Sequence, residues 1–130
     1  MVMNDTLSAA MSNIYNGEKI SKKEVIIFPV SGIIKKTLDV MKNNYYIGDY
    51  GENKDSKGNS LKINLLGKIN KCGAIKPRFS VALGEYEKFE KRFLPAKDFG
   101  ILIVSTNKGM MTHMQAKEKK LGGKLIAYCY

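Results

Sequence analysis

An α+β fold of two small, tightly associated units is what this chain predicts, and three patterns predict it. Apolar residues at helical spacing follow N-capping side chains near both ends of the sequence. Between these stretches lie short runs rich in β-branched residues, bounded by glycine, proline and asparagine. The pattern then resets at Gly67 to Lys71, where composition turns small and basic. That reset divides the chain into an N-terminal unit (1–66), ordered helix, strand, helix, strand, strand, and a C-terminal unit (67–130), mainly strand with one short helix. An apolar fraction of 44% over 130 residues is ample for a core.

Each element has its own signal. Asn4, Asp5 and Thr6 are capping residues ahead of Leu7, Ala10, Met11 and Ile14, so a helix opens there and is expected to end near Asn16-Gly17. Glu24 to Pro29 is β-branched, closed by proline, and reads as a strand. Ser31 caps a second helix whose stripe is Ile34, Leu38 and Met41, with Lys35, Lys36 and Lys42 outside it. Tyr45 to Ile47 and Leu61 to Leu65 read as strands joined by a polar hairpin loop from Gly51 to Asn59.

The second unit starts with short extended pieces, Cys72 to Ile75 and Phe79 to Leu83, then one or two helical turns within Glu85 to Arg92. Ile101 to Val104 is apolar at every position, which predicts a strand covered on both faces. A turn over Ser105, Thr106, Asn107, Lys108 and Gly109 ends it. Thr112 and Gln115 stand at capping-box spacing and open a helix through Lys120. Gly122 is expected as its left-handed cap, before a closing strand from Leu125 to Tyr130.

Twenty-two basic residues against twelve acidic ones leave a net charge of +10. That excess suits a polyanion, with RNA, DNA and an anionic membrane surface as candidates. Arg78 and Arg92 are the only arginines. Lysine neutralises phosphate as a point charge, whereas arginine's planar fork reads guanine edges. Charge here therefore supplies affinity, and specificity must come from elsewhere. No run approaches the roughly 20 apolar residues that span a bilayer. The opening Met1-Val2-Met3-Asn4-Asp5 shows no export signal, so the expected location is cytoplasmic.

Catalytic and metal signals are poor. Gly67-Lys68 and Gly123-Lys124 lack both the earlier glycine and the following hydroxyl of a phosphate loop. Cys72 and Cys129 stand far apart, with no histidine cluster for zinc, and read as reduced packing residues. Glu85, Glu87 and Glu90 read as a solvated helix face, and Met110, Met111 and Met114 as fillers between helix and sheet. His113 is the only histidine. Inside the capping box it is expected to face solvent. A small basic RNA-processing enzyme would have to use it as its acid–base group. A DNA regulator fits less well, for want of a helix-turn-helix pattern and of arginines.

The Ser105 to Gly109 turn has two readings. Serine, threonine, asparagine and glycine are ordinary turn formers. They are also short hydrogen-bonding groups that reach the shallow minor groove of RNA, and Lys108 lies among them with Lys117, Lys119, Lys120 and Lys124 nearby. Tyr128 is expected near this turn if the two apolar strands pair.

Val104-Ser105-Thr106-Asn107-Lys108-Gly109-Met110-Met111-Thr112 resembles the hallmark of the eighth protein of the small ribosomal subunit. Leu121-Gly122-Gly123-Lys124 is similar to that family's final glycine pair, and Asn4 to Leu7 with Asn13 to Gly17 to its first helix and turn. The resemblance implies a non-enzymatic protein without cofactor or metal, monomeric off the ribosome. It implies direct binding to the central domain of small-subunit ribosomal RNA, at a stem with an irregular internal loop. It further implies contact with neighbouring small-subunit proteins and help in assembling the platform. By match, Ser105, Thr106, Asn107, Lys108 and Gly109 make the central contacts, with Thr112, Gly122, Gly123 and Tyr128 beside them. Asp5, Thr6, Asn13, Ser31 and Lys35 carry the expected N-terminal contacts. Ile75-Lys76-Pro77-Arg78-Phe79 and His113 depart from the bacterial pattern and look closer to the archaeal and eukaryotic branch.

Overall fold

A computed structural model describes residues 6–27, 32–55, 58–75, 78–96 and 99–130. Helix α1 (Thr6–Lys19) leads into strand β1 (Glu24–Ile27), helix α2 (Gly32–Asn43), and the hairpin strands β2 (Ile47–Asp55) and β3 (Gly58–Leu65). Strands β4 (Cys72–Ala74) and β5 (Ser80–Val81), a single 3-10 turn and helix α3 (Tyr86–Phe93) follow. Strands β6 (Ile101–Thr106) and β7 (Gly109–Thr112), helix α4 (His113–Glu118) and strand β8 (Gly123–Cys129) complete the chain. The α+β expectation holds.

Two antiparallel sheets result. The first has three strands in the order β1-β3-β2. The second runs β4-β8-β6-β7, with β5 also paired to β8. One core joins them. Leu7, Met11 and Ile14 of α1 and Leu38 and Met41 of α2 pack with Leu61 and Ile63 of the first sheet and with Ile101, Ile103 and Cys129 of the second. A second core on the far face of the larger sheet gathers Leu102, Val104 and Leu125 with Tyr86 and Phe89 of α3 and Ala116 of α4. Ile101 to Val104 therefore alternate between two cores and are all buried, as the unbroken apolar run predicts. Each such side chain contributes about 1.5–3 kcal/mol relative to exposure.

Several boundaries differ from expectation for physical reasons. Helix α1 runs past Gly17, because that glycine is a packing site: a Cβ there would stand 2.5 Å from Val25 Cγ1. Tyr45 is not in a strand but turns the chain after α2 at φ +65°. The stretch from Gly51 to Asn59 is mostly ladder, since Gly51 pairs with Lys62, Asn53 with Ser60 and Asp55 with Gly58. Its polar composition disguises it, because what makes it a strand is the pairing with β3 and not an apolar pattern of its own. At the end of α4 the left-handed residue is Lys120, at φ +57°, and not Gly122. Gly122 serves close approach instead, as a Cβ there would lie 2.7 Å from Val81 O.

Candidate RNA interface

The expected turn is the tip of a hairpin. Strand β6 continues through Ser105 and Thr106, and β7 returns along it with Ser105 opposite Met110 and Thr106 opposite Gly109. Only Asn107 and Lys108 lie in the turn. Neither has a positive φ, whereas Gly109 does, at +114°. A turn closed by a glycine in that region is a standard short connection between antiparallel strands. Strand β7 was invisible in the sequence because its four residues were absorbed by the turn before it and the cap after it.

The hairpin sorts its polar groups. Thr106 Oγ1 donates to Gly109 O at 2.8 Å and accepts from Lys108 N–H at 3.1 Å, so this hydroxyl holds the turn together. Ser105 Oγ and the Asn107 amide have no hydrogen-bond partner among the described residues. Strand alternation puts Ser105 and Thr106 on opposite faces, which is why chemically similar neighbours differ. Lys108 is exposed at the tip.

Gly123 supports this arrangement from below. Lys124 pairs with Ser105 across β6 and β8, and a Cβ on Gly123 would lie 2.3 Å from Ser105 O. Any side chain there would displace the strand that presents Ser105. Thr112 sits one strand length behind the tip as the N-cap of α4. Its Oγ1 accepts from Gln115 N–H at 3.2 Å, and its own N–H donates to Gln115 Oε1 at 3.2 Å. That is the capping box expected from the sequence, and it makes Thr112, which is buried, part of the scaffold.

An open groove of about 460 Å³ runs between this hairpin and the first turn of α2, lined by Gly32, Ile33, Lys36, Ser105, Thr106, Asn107, Gly109 and Met110. Both halves of the chain thus contribute to one surface. Of the lysines on α2, Lys35 is bound to Glu52 and Lys42 to Asp49 at 2.9 Å, both on β2. Lys36 is exposed, has no ion-pair partner among the described residues, and faces the groove. The sequence placed all three lysines outside the apolar stripe without ranking them. Lys36 and Lys124, rather than Lys35, are the cations beside the hairpin.

Other expected site residues lie elsewhere. Asn13 is exposed and lines a separate groove between α1 and β1, with Asn16, Lys22 and Ile26. Thr6 opens α1, and Asp5 and Ser31 lie outside the described residues. Tyr128 is opposite Leu102, three ladder positions from Ser105, or roughly 10 Å along the strand. The strands pair as expected, but their antiparallel register carries the ring away from the tip. It stacks on Phe93, with centroids 5.7 Å apart, and lies over Gly73.

His113 does not face solvent. It is wholly buried, with Nδ1 accepting from Leu102 N–H at 3.0 Å and Nε2 lying 3.3 Å from Glu90 Oε1. Lys117 pairs with the same carboxylate oxygen. Glu90 is likewise buried and not part of a solvated face. A fully buried imidazole whose Nδ1 is committed to backbone cannot reach a substrate, so the RNA-processing alternative loses its one candidate group. Lys117 is correspondingly withdrawn from the cations open to a ligand. Among the methionines, Met111 packs in the second core and Met110 against the first, while Met114 is exposed.

The hairpin tip, whose Ser105 hydroxyl, Asn107 amide and Lys108 ammonium have no partner among the described residues, and the adjoining lysine-bearing helix define a binding module with a basic, hydrogen-bonding surface. The ribosomal protein S8 family model matches residues 5–130, nearly the whole chain, and the chain belongs to that family. It is a ribosomal, RNA-binding protein of the small subunit. No helix among the described residues is long and apolar enough to cross a membrane.

Proposed function

We propose that the chain binds the central domain of small-subunit ribosomal RNA directly, at a stem with an irregular internal loop, and helps assemble the platform as a non-enzymatic component. Residues 1–66 and 67–130 act as two units that grip the stem from either side of the groove. Ser105 Oγ and the Asn107 amide bond to ribose hydroxyls and base edges in the minor groove. Lys36, Lys108 and Lys124 neutralise neighbouring phosphates. Thr106, Gly109, Thr112, Gly122 and Gly123 keep the tip in shape, and Asn13 with Thr6 belongs to a second, weaker contact along α1. Neighbouring small-subunit proteins dock on the remaining surface.

The observation that carries this reading is the common groove, in which Ser105 Oγ and the Asn107 amide, without a partner among the described residues, share a surface with Lys36. A hydroxyl left free beside an exposed lysine is poised for an outside acceptor or donor. Ser105→Ala is expected to weaken binding to the looped stem by about 1–2 kcal/mol, the loss of one or two hydrogen bonds. Filter binding or fluorescence titration reads this directly. Unchanged affinity would remove the hairpin tip from recognition.

A further inference from the structure

Cys72 opens β4 and Cys129 closes β8, and the register places them directly opposite each other. Their neighbours Lys71 and Tyr130 exchange both backbone hydrogen bonds, Lys71 N to Tyr130 O and Tyr130 N to Lys71 O, each at 2.9 Å. In an antiparallel ladder such pairs alternate with non-hydrogen-bonded ones. The cysteines therefore form a non-hydrogen-bonded pair, whose Cα atoms stand about 4.5 Å apart. That separation falls inside the range of roughly 4.4–6.8 Å that a disulfide spans. Both side chains belong to the first core, so the two sulfurs lie on the same face of the sheet. Both cysteines are free and buried.

We propose that Cys72 and Cys129 form an intramolecular dithiol–disulfide site, oxidised by small-molecule disulfides when the edge strand β4 opens. Strand β4 is only three residues long, lies at the edge of the sheet and pairs with β8 alone, so few ladder bonds have to break for it to lift. In the closed state burial pushes the Cys72 thiol up to about 12, with a contribution from Glu18. Burial pushes Cys129 higher still, aided by Cys72 and Glu18. Thiolate, the reactive form, is thus suppressed until the strand lifts.

The exchange balances in two steps. Cys72 loses its proton, attacks the small disulfide and releases one small thiol, leaving a mixed disulfide. Cys129 then loses its proton, attacks the Cys72 sulfur and releases the second small thiol. The protein gives up two electrons and two protons, and the small disulfide takes them. One structural consequence is specific: Cys72 Sγ donates to Met11 O at 3.6 Å, and a disulfide has no S–H to donate. Oxidation therefore ties β4 to β8 while removing a contact between α1 and the larger sheet.

The test is to incubate the full-length folded protein with oxidised glutathione and block remaining thiols with an alkylating reagent. Intact mass and a non-reduced peptide map are then recorded. The expected result is loss of both free thiols, a mass lower by two hydrogen atoms, and one cross-linked peptide joining Cys72 to Cys129. Cys129→Ala should instead hold a glutathione adduct on Cys72. Two stable glutathione adducts on the unmodified sequence would overturn the proposal. So would two thiols that stay free in the folded protein while a urea-unfolded sample oxidises.

Discussion

Ser105 and Thr106 are adjacent hydroxyl residues in the same strand, yet Thr106 Oγ1 is occupied by Gly109 O and Lys108 N–H while Ser105 Oγ has no partner among the described residues. The first is spent on the fold and the second is available to a ligand. Thr106→Val should therefore lower stability by about 1–2 kcal/mol in urea unfolding, since it removes the acceptor of one backbone group and the donor to another. Ser105→Ala should shift stability by no more than about 0.5 kcal/mol while weakening RNA binding. Equal effects of the two on stability would contradict the assignment. His113 is the other residue whose role only the fold reveals. His113→Leu leaves the buried Leu102 N–H without its acceptor and should cost about 1–3 kcal/mol of stability. RNA affinity of the folded variant should not change; an altered affinity would reopen a direct role for the imidazole. A lone histidine in a capping box reads as exposed from sequence, because nothing in the local pattern announces that Glu90 will arrive from a different helix.

At the scale of elements, the sequence was most legible where a local rule governs. The capping box of Thr112 and Gln115 forms as its spacing predicts, and the four buried residues of β6 are buried as an unbroken apolar run implies. It was least legible where pairing governs. Polar β2 and four-residue β7 are held by ladders to strands elsewhere in the chain, and no composition of their own marks them. The same limit hid the difference between Lys35 and Lys36, because the acidic partners sit on β2. Lys35→Ala should leave the salt dependence of RNA binding unchanged, because Glu52 already neutralises it. Lys36→Ala should lower the slope of log affinity against log salt by about one. A titration series at several ionic strengths separates them, and a fall in slope for Lys35→Ala alone would reverse the assignment.

Across the whole molecule, the division at Gly67 to Lys71 separates the strands of the two sheets, but their packing does not follow it. Ile101, Ile103 and Cys129 share a core with α1 and α2, so the two halves are fixed against each other. That fixed relation sets α2 beside the β6–β7 hairpin and makes one groove from two parts of the chain. The sequence named the hairpin residues through their likeness to a ribosomal family, yet it could not show which N-terminal side chains would face them. A net charge of +10 attracts any nucleic acid, with an affinity that falls steeply with salt. A shaped groove adds a contribution that salt does not remove. The decisive measurement is a titration of the protein, at several salt concentrations, against the central-domain stem with its internal loop and a fully paired stem of equal length. The account predicts a preference for the looped stem that persists as salt rises and that Ser105→Ala diminishes. Equal affinities that collapse together with salt would mean that charge alone explains binding, and the groove at Ser105 would not be a recognition site.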